Sequence, residues 1–185
     1  GRIISSNGEL QVSEVRGRNL IEHYVENDHQ LSIGDEVTGE IDWHRRYSHM
    51  RMHTAQHLMS GLAYELFDGV RTVGNQINIE NSRIDFNPIS FNESMLQELT
   101  ESANQYVNDS FPVLDSIMTR KEINSIMPEE RTNMDLLPKS IKDLRVITIG
   151  NEFDLCPCAG THISNLSEIG DITIVSKKSK GKKKK

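Results

Sequence analysis

An α+β fold, with a mainly antiparallel sheet and two main helices, is what this sequence predicts, on three observations. Apolar and polar residues alternate in short runs over the first 42 positions. From His44 to Phe67 the apolar period changes to three and four residues. Beyond that point strand-like and helix-like segments are interspersed without the regular spacing of βαβ units, which disfavours a parallel sheet. The 185 residues suit one domain, or one domain with a small appendage. The expected division is a small N-terminal β subdomain over 1–42 and a larger domain over 43–185.

The N-terminal pattern is Ile3 and Ile4, Leu10 and Val12, then Leu20, Ile21 and Val25, then Val37 and Ile41. Turn signals at Asn7-Gly8 and at Ser32-Ile33-Gly34-Asp35 cut it into three or four strands. In the next segment Met52, Ala55, Met59, Leu62 and Leu66 line one face of an amphipathic helix that stops at Asp68-Gly69. Strands are expected at 70–79 and 82–86. Ser90 and Glu93 read as a capping box ahead of a helix over 93–108. A strand over 112–119, a short helix over 121–126, a polar loop with Pro128 and Pro138, and strands at 144–150 and 171–176 complete the pattern. Trp43 reads as a core anchor or hinge where strand meets helix, and Met50, Met52 and Met59 as core filler. His23, His29, His44 and His49 read as surface residues.

Composition excludes several classes. Hydrophobic residues make up 36% and charged residues 26%, which places the chain with globular rather than disordered proteins. No apolar run approaches the roughly 20 residues of a membrane-spanning helix. The first residues lack the layout of a signal peptide. Cys156 and Cys158 are too close together to staple distant segments, so a reducing cytoplasm is expected. The net charge of −6 conceals a split: residues 177–185 hold seven lysines, and without them 14 basic face 27 acidic side chains. An acidic body with a basic tail is not a uniform nucleic-acid binder, although the tail could touch phosphates locally.

His53 and His57 stand four apart on the first helix and therefore share a face. A second pair, Cys158 and His162, is also four apart, with Gly160 between them allowing the backbone to turn. Three imidazoles and one thiolate suit tetrahedral zinc. Taken singly, each residue has a plain alternative: a solvated histidine face, a small buried thiol, a capped loop histidine. Cys156 reads as a small packed residue or a spare thiolate. The helix carries Thr54 and Gln56 where a zinc protease of the H-E-x-x-H type needs its glutamate, so a peptidase is disfavoured.

RMHTAQHLMSGL (51–62) together with DLCPCAGTHISNLSEIGDI (154–172) resembles the editing domain of alanyl-tRNA synthetases, and most of all the free-standing AlaX group of alanyl-tRNA editing proteins. GDEVTGEIDWHRRYSHM (34–50), Val70-Arg71-Thr72-Val73-Gly74 and the tail text SKGK (179–182) carry further parts of the likeness. The resemblance implies a cytoplasmic hydrolase in which a zinc-pinned editing domain with a basic tail cleaves the ester between serine or glycine and tRNA(Ala). It implies one zinc ion on His53, His57, Cys158 and His162. It implies two catalytic-site residues: Gln56 lining the pocket near the scissile ester, and Thr72 recognising the serine hydroxyl. Gly160 matches the second glycine of the group's C-G-G-T-H, and Ala159 replaces the first, a change that matters where a positive φ is required. The group's pattern has a Gly-rich motif upstream of Gly1 and a closing strand past the lysines, so the N-terminal subdomain is expected to be incomplete. Two other readings stand beside this one: a non-catalytic zinc-stabilised tRNA-binding module, and an editing fragment of an alanyl-tRNA synthetase.

Overall fold

The computed structural model describes residues 1–178 except positions 18, 27, 29, 133, 135, 136, 151 and 152. His29 and the tail text at 179–182 therefore lie outside the described residues. The chain separates into two units, Gly1–Tyr47 and a second beginning at Ser48.

In the first unit, β1 (Arg2–Ser5), β2 (Gly8–Arg16), β3 (Glu22–Val25) and β4 (Thr38–Glu40) form one antiparallel sheet in the order β3-β2-β1-β4. Gly17 turns β2 back at φ +112°, where a Cβ would lie 1.8 Å from the Leu20 carbonyl oxygen. The expected turn at 32–35 is closed by Asp35, which bonds Ser32 through both its backbone N–H and its carboxylate. The strands are short and bury little: Leu20, Ile21, Ile33 and Ile41 are all more than half exposed.

Helix α1 runs from Trp43 to Leu66. Trp43 is 59% exposed and stacks on Tyr47, four residues on, so it is not the core anchor expected from its position. The helix ends where Asp68 and Gly69 both take positive φ and the Gly69 N–H bonds the Tyr64 carbonyl. Met59 is buried, whereas Met50 and Met52 are only half-buried.

The second unit continues with a hairpin of β5 (Arg71–Gln76) and β6 (Arg83–Asn87), helix α2 (Glu93–Asn108), β7 (Val113–Thr119), α3 (Arg120–Ile126), α4 (Glu129–Thr132), β8 (Asp143–Ile149) and β9 (Asp154–Pro157). A 3-10 turn spans Leu166–Ile169. β7, β8 and β9 form an antiparallel sheet with β8 in the centre. Leu99, Ala103 and Val107 recur every fourth residue on the buried face of α2. Ile123, Met127, Met134, Leu144, Val146 and Leu155 form a core cluster beside the three-stranded sheet.

Three local expectations are corrected. The N-cap of α2 is Asn92, whose side chain accepts from the Met95 N–H at 2.9 Å; Glu93 is the first helical residue, too early for a capping box with Ser90. The segment between Pro128 and Pro138 is not merely a polar loop. It contains α4, and Met134 is 1% exposed. The Arg120 guanidinium donates to the carbonyls of Met134, Leu137, Pro138 and Ile141, which satisfies backbone acceptors that burial would otherwise strand. Last, the outer strand of the β8 sheet is 154–157 rather than 171–176. Residues 171–176 alternate like a strand but pair with a side chain: the amide of Asn104 accepts from the Ile172 N–H at 2.8 Å and donates to its carbonyl at 2.9 Å.

Candidate metal centre and adjoining cleft

The α1 helix projects His53, Gln56, His57 and Ser60 along one stripe, as the three- and four-residue spacing requires. The chain leaving β9 brings Cys158 and His162 to the same place. The ligand atoms of His53, His57, Cys158 and His162 all lie within 4.8 Å of one another, so the four could hold one metal ion. The Cys158 sulfur is 3.6 Å from Nε2 of His53 and 3.5 Å from Nε2 of His162.

Each imidazole is held by its other nitrogen. Nδ1 of His53 lies 3.2 Å from the Thr161 carbonyl, an acceptor, so it carries the proton. Thr54 spends its own hydroxyl proton on the Met50 carbonyl, so its oxygen accepts from Nδ1 of His162 at 3.1 Å. Nδ1 of His57 faces the carboxylate of Asp154 at 3.5 Å, with both side chains buried. All three rings thereby turn Nε2 inward with a free lone pair, the arrangement a metal needs from histidine. Oδ2 of Asp154 has no full hydrogen bond, which leaves its charge directed at His57.

The loop is fixed from behind. The Arg145 guanidinium donates to the carbonyls of Cys158 and Gly160 at 2.9 and 2.8 Å. Neither Ala159 nor Gly160 takes a positive φ. Glycine at 160 serves space rather than turning: a Cβ there would lie 2.3 Å from Cε1 of His53. The replacement at Ala159 is therefore not strained.

Charge in the cluster favours a cation. Burial works against the Cys158 thiolate, yet hydrogen bonds from His162, His53 and His57 outweigh it and hold the thiol down at about 3. Burial also opposes charge on His57, but Asp154 and the Cys158 sulfur push it up to about 9. Burial pushes His162 down. A cation bound by the cluster takes the place of that proton, since a ligating imidazole is neutral. Cys156 behaves oppositely: burial pushes its thiol up and keeps it protonated, and its sulfur faces the Thr132 and Pro157 carbonyls.

A cleft of about 350 Å³ opens beside the cluster, lined among others by His53, His57, Cys158, Gln56, Ser60, Thr72 and Asn75. Gln56 Nε2 donates to Ser60 Oγ at 2.9 Å, Ser60 Oγ lies 2.6 Å from Thr72 Oγ1, and Asn75 Nδ2 donates to Gln56 Oε1 at 3.4 Å. The register of β5 against β6 shifts between Thr72 and Gly74. That bulge lets Thr72 and Asn75, three apart, both reach the helix stripe, which unbroken alternation would forbid. Arg131 forms another wall, clasped by Glu65 and the Phe153 carbonyl beneath the Tyr64 ring.

The structure thus gathers His53, His57, Cys158 and His162 in one cluster and sets Gln56 and Thr72 in the cleft beside it. Ser60, Asn75, Asp154 and Arg145 also belong to the site, and no motif in the sequence marks them. Gly74 inside a strand was the one available signal, since an isolated strand glycine marks a bulge. Arg51 donates to the Ile169 carbonyl at 3.2 Å.

The class of protein that this fold and site define is an antiparallel α+β domain with a His₃Cys cluster beside a cleft. Residues 144–185 match the family described as threonyl and alanyl tRNA synthetase second additional domain. The chain is 34% identical over 182 residues to the alanyl-tRNA editing protein AlaX-M of Methanosarcina barkeri, covering 96% of this chain and 74% of that protein. It is 34% identical to the AlaX-M of Saccharolobus solfataricus over 191 aligned positions, covering all of this chain and 78% of that protein. The alanine–tRNA ligase of Methanobrevibacter smithii is 32% identical over 160 residues, 84% of this chain but 18% of the ligase. The chain belongs to the family of AlaX-M alanyl-tRNA editing proteins.

Proposed function

We propose that this chain hydrolyses the ester between serine or glycine and tRNA(Ala), with one zinc ion held by His53, His57, Cys158 and His162, in the cytoplasm. The observation that carries this reading is a single cleft lined both by His53, His57 and Cys158 of the His₃Cys cluster and by the Gln56–Ser60–Thr72 hydrogen-bonded row. Family membership supports it, because the relatives are named for alanyl-tRNA editing.

Zinc suits the donor set. A tetrahedral ion with one thiolate and imidazoles has S···N edges of about 3.6 Å, and the separations here are 3.5 and 3.6 Å. Bound zinc would supply Lewis-acid polarisation and ordering of the ester's surroundings. The chain's own residues do the rest. Asp154 and the Thr161 carbonyl keep the protons of His57 and His53 on Nδ1. Gln56 lines the cleft next to the cluster, and Thr72 offers a hydroxyl to a small polar side chain. A site built to bond the serine hydroxyl disfavours alanine, which leaves that group unpaired. The lysine tail adds local phosphate contacts and makes tRNA binding salt-dependent.

Deacylation of Ser-tRNA(Ala) and Ala-tRNA(Ala), with zinc quantified on the same sample, tests the proposal. The expected result is loss of serine with alanine spared, abolished by His53→Ala or Cys158→Ala. Four protein ligands leave no open tetrahedral position, which favours a second reading, a zinc-stapled tRNA-binding module. One equivalent of zinc with salt-dependent tRNA binding and no turnover would select it.

A further inference from the structure

Ser60 sits one helical turn after Gln56, in mid-helix, on the stripe that carries His53 and His57. A serine there is a poor helix former, and its hydroxyl ordinarily bonds back to the carbonyl four residues earlier. Here the hydroxyl bridges two elements instead. It accepts from Nε2 of Gln56 at 2.9 Å, and it reaches Thr72 Oγ1 on β5 at 2.6 Å.

The row has one fixed end. Asn75 Nδ2 donates to Gln56 Oε1, which orients that amide with its nitrogen toward Ser60. Ser60 has then filled one lone pair and still holds its own proton. Across the 2.6 Å contact either hydroxyl can be the donor, and a proton given by Ser60 falls on Thr72 Oγ1. A hydroxyl that accepts one bond keeps its own O–H for another partner. Thr72 lines the cleft, and with Ser60 as the donor its O–H is left for whatever lies there.

We propose that Ser60 is a positioning residue that sets the hydrogen-bond polarity of the cleft, so that Thr72 presents a donor to the oxygen of a hydroxyl-bearing acyl group. The inference rests on the editing reading above and assigns Ser60 a part in choosing the acyl group. It predicts a preference for serine over glycine esters that depends on Ser60 and acts only through Thr72.

The test is a four-way comparison of wild type, Ser60→Ala, Thr72→Val and the double variant. The quantity measured is kcat/KM for Ser-tRNA(Ala) divided by that for Gly-tRNA(Ala), with zinc content and melting temperature on every sample. Ser60→Ala is expected to lower the ratio about 10-fold, the size of one hydrogen bond. In the Thr72→Val background the same change is expected to move it less than about 2-fold. Ser60→Cys, nearly the same volume with a weak donor, is expected to follow Ser60→Ala, which separates lost bonding from lost packing. An unchanged ratio in Ser60→Ala, or an equal drop in both backgrounds, overturns the inference while the wild type still edits. A wild type that loads zinc but deacylates neither ester overturns the editing reading, and this inference with it.

Discussion

Gly160 lacks a side chain because the His53 ring occupies the space where one would go, with 2.3 Å between a built Cβ and Cε1. Gly160→Ala must move the ring or the loop, and either displaces a ligand. We expect at least a ~10-fold loss of zinc affinity by competition with a chromogenic chelator, while Ala159→Gly changes it little. Asp154 acts on His57 from outside the cluster at 3.5 Å. Asp154→Asn keeps the shape and removes the charge, so zinc affinity should fall about 10- to 100-fold; retention of wild-type affinity would detach Asp154 from the metal centre. At this scale the sequence is uneven. His53 and His57 are legible because a helix maps spacing onto a face. Cys158 and His162 are legible only through that first pair. Asp154, Arg145 and Asn75 are not, because each reaches the site through pairing between segments that spacing alone cannot reveal.

At the scale of elements, the clearest departure is the pair of segments 154–157 and 171–176. DLCP carries a proline and two apolar positions in four, a weak strand pattern, yet it pairs with β8 along the sheet edge, where proline at the end of a strand is tolerated. DITIVS alternates well and forms no strand, since Asn104 supplies the two hydrogen bonds a neighbouring strand would give Ile172. Asn104→Ala should therefore cost about 1–3 kcal/mol in urea denaturation. A loss under a few tenths would mean that these bonds are replaced by water at no cost. Asn92→Ala, which removes the α2 cap, should cost about 1 kcal/mol in the same experiment. Helices α1 and α2 were legible in kind and nearly in extent, because apolar periodicity survives in sequence while pairing partners do not; α4, four residues long, was too short to carry that period.

For the whole molecule, the candidate metal centre joins residues 105 positions apart, His53 and Cys158. Closing so long a loop is something local sequence cannot supply, so an ion bound there stabilises the fold by mass action. Unfolding free energy should rise by about 1.4 kcal/mol per tenfold increase in free zinc above the dissociation constant. A zinc-independent denaturation midpoint would contradict this. Among the described residues no helix is long and apolar enough to cross a membrane. The lysine-rich end begins at Lys177, which pairs with Glu93 on α2.

Zinc K-edge absorption on the purified, metal-loaded protein tests the assignment of the four ligands most directly. One sulfur at about 2.3 Å and three nitrogens at about 2.0–2.1 Å is the expected shell, with the sulfur lost in Cys158→Ser and kept in Cys156→Ser. Two sulfurs, or a spectrum unchanged by Cys158→Ser, would show that the ion is not held by His53, His57, Cys158 and His162.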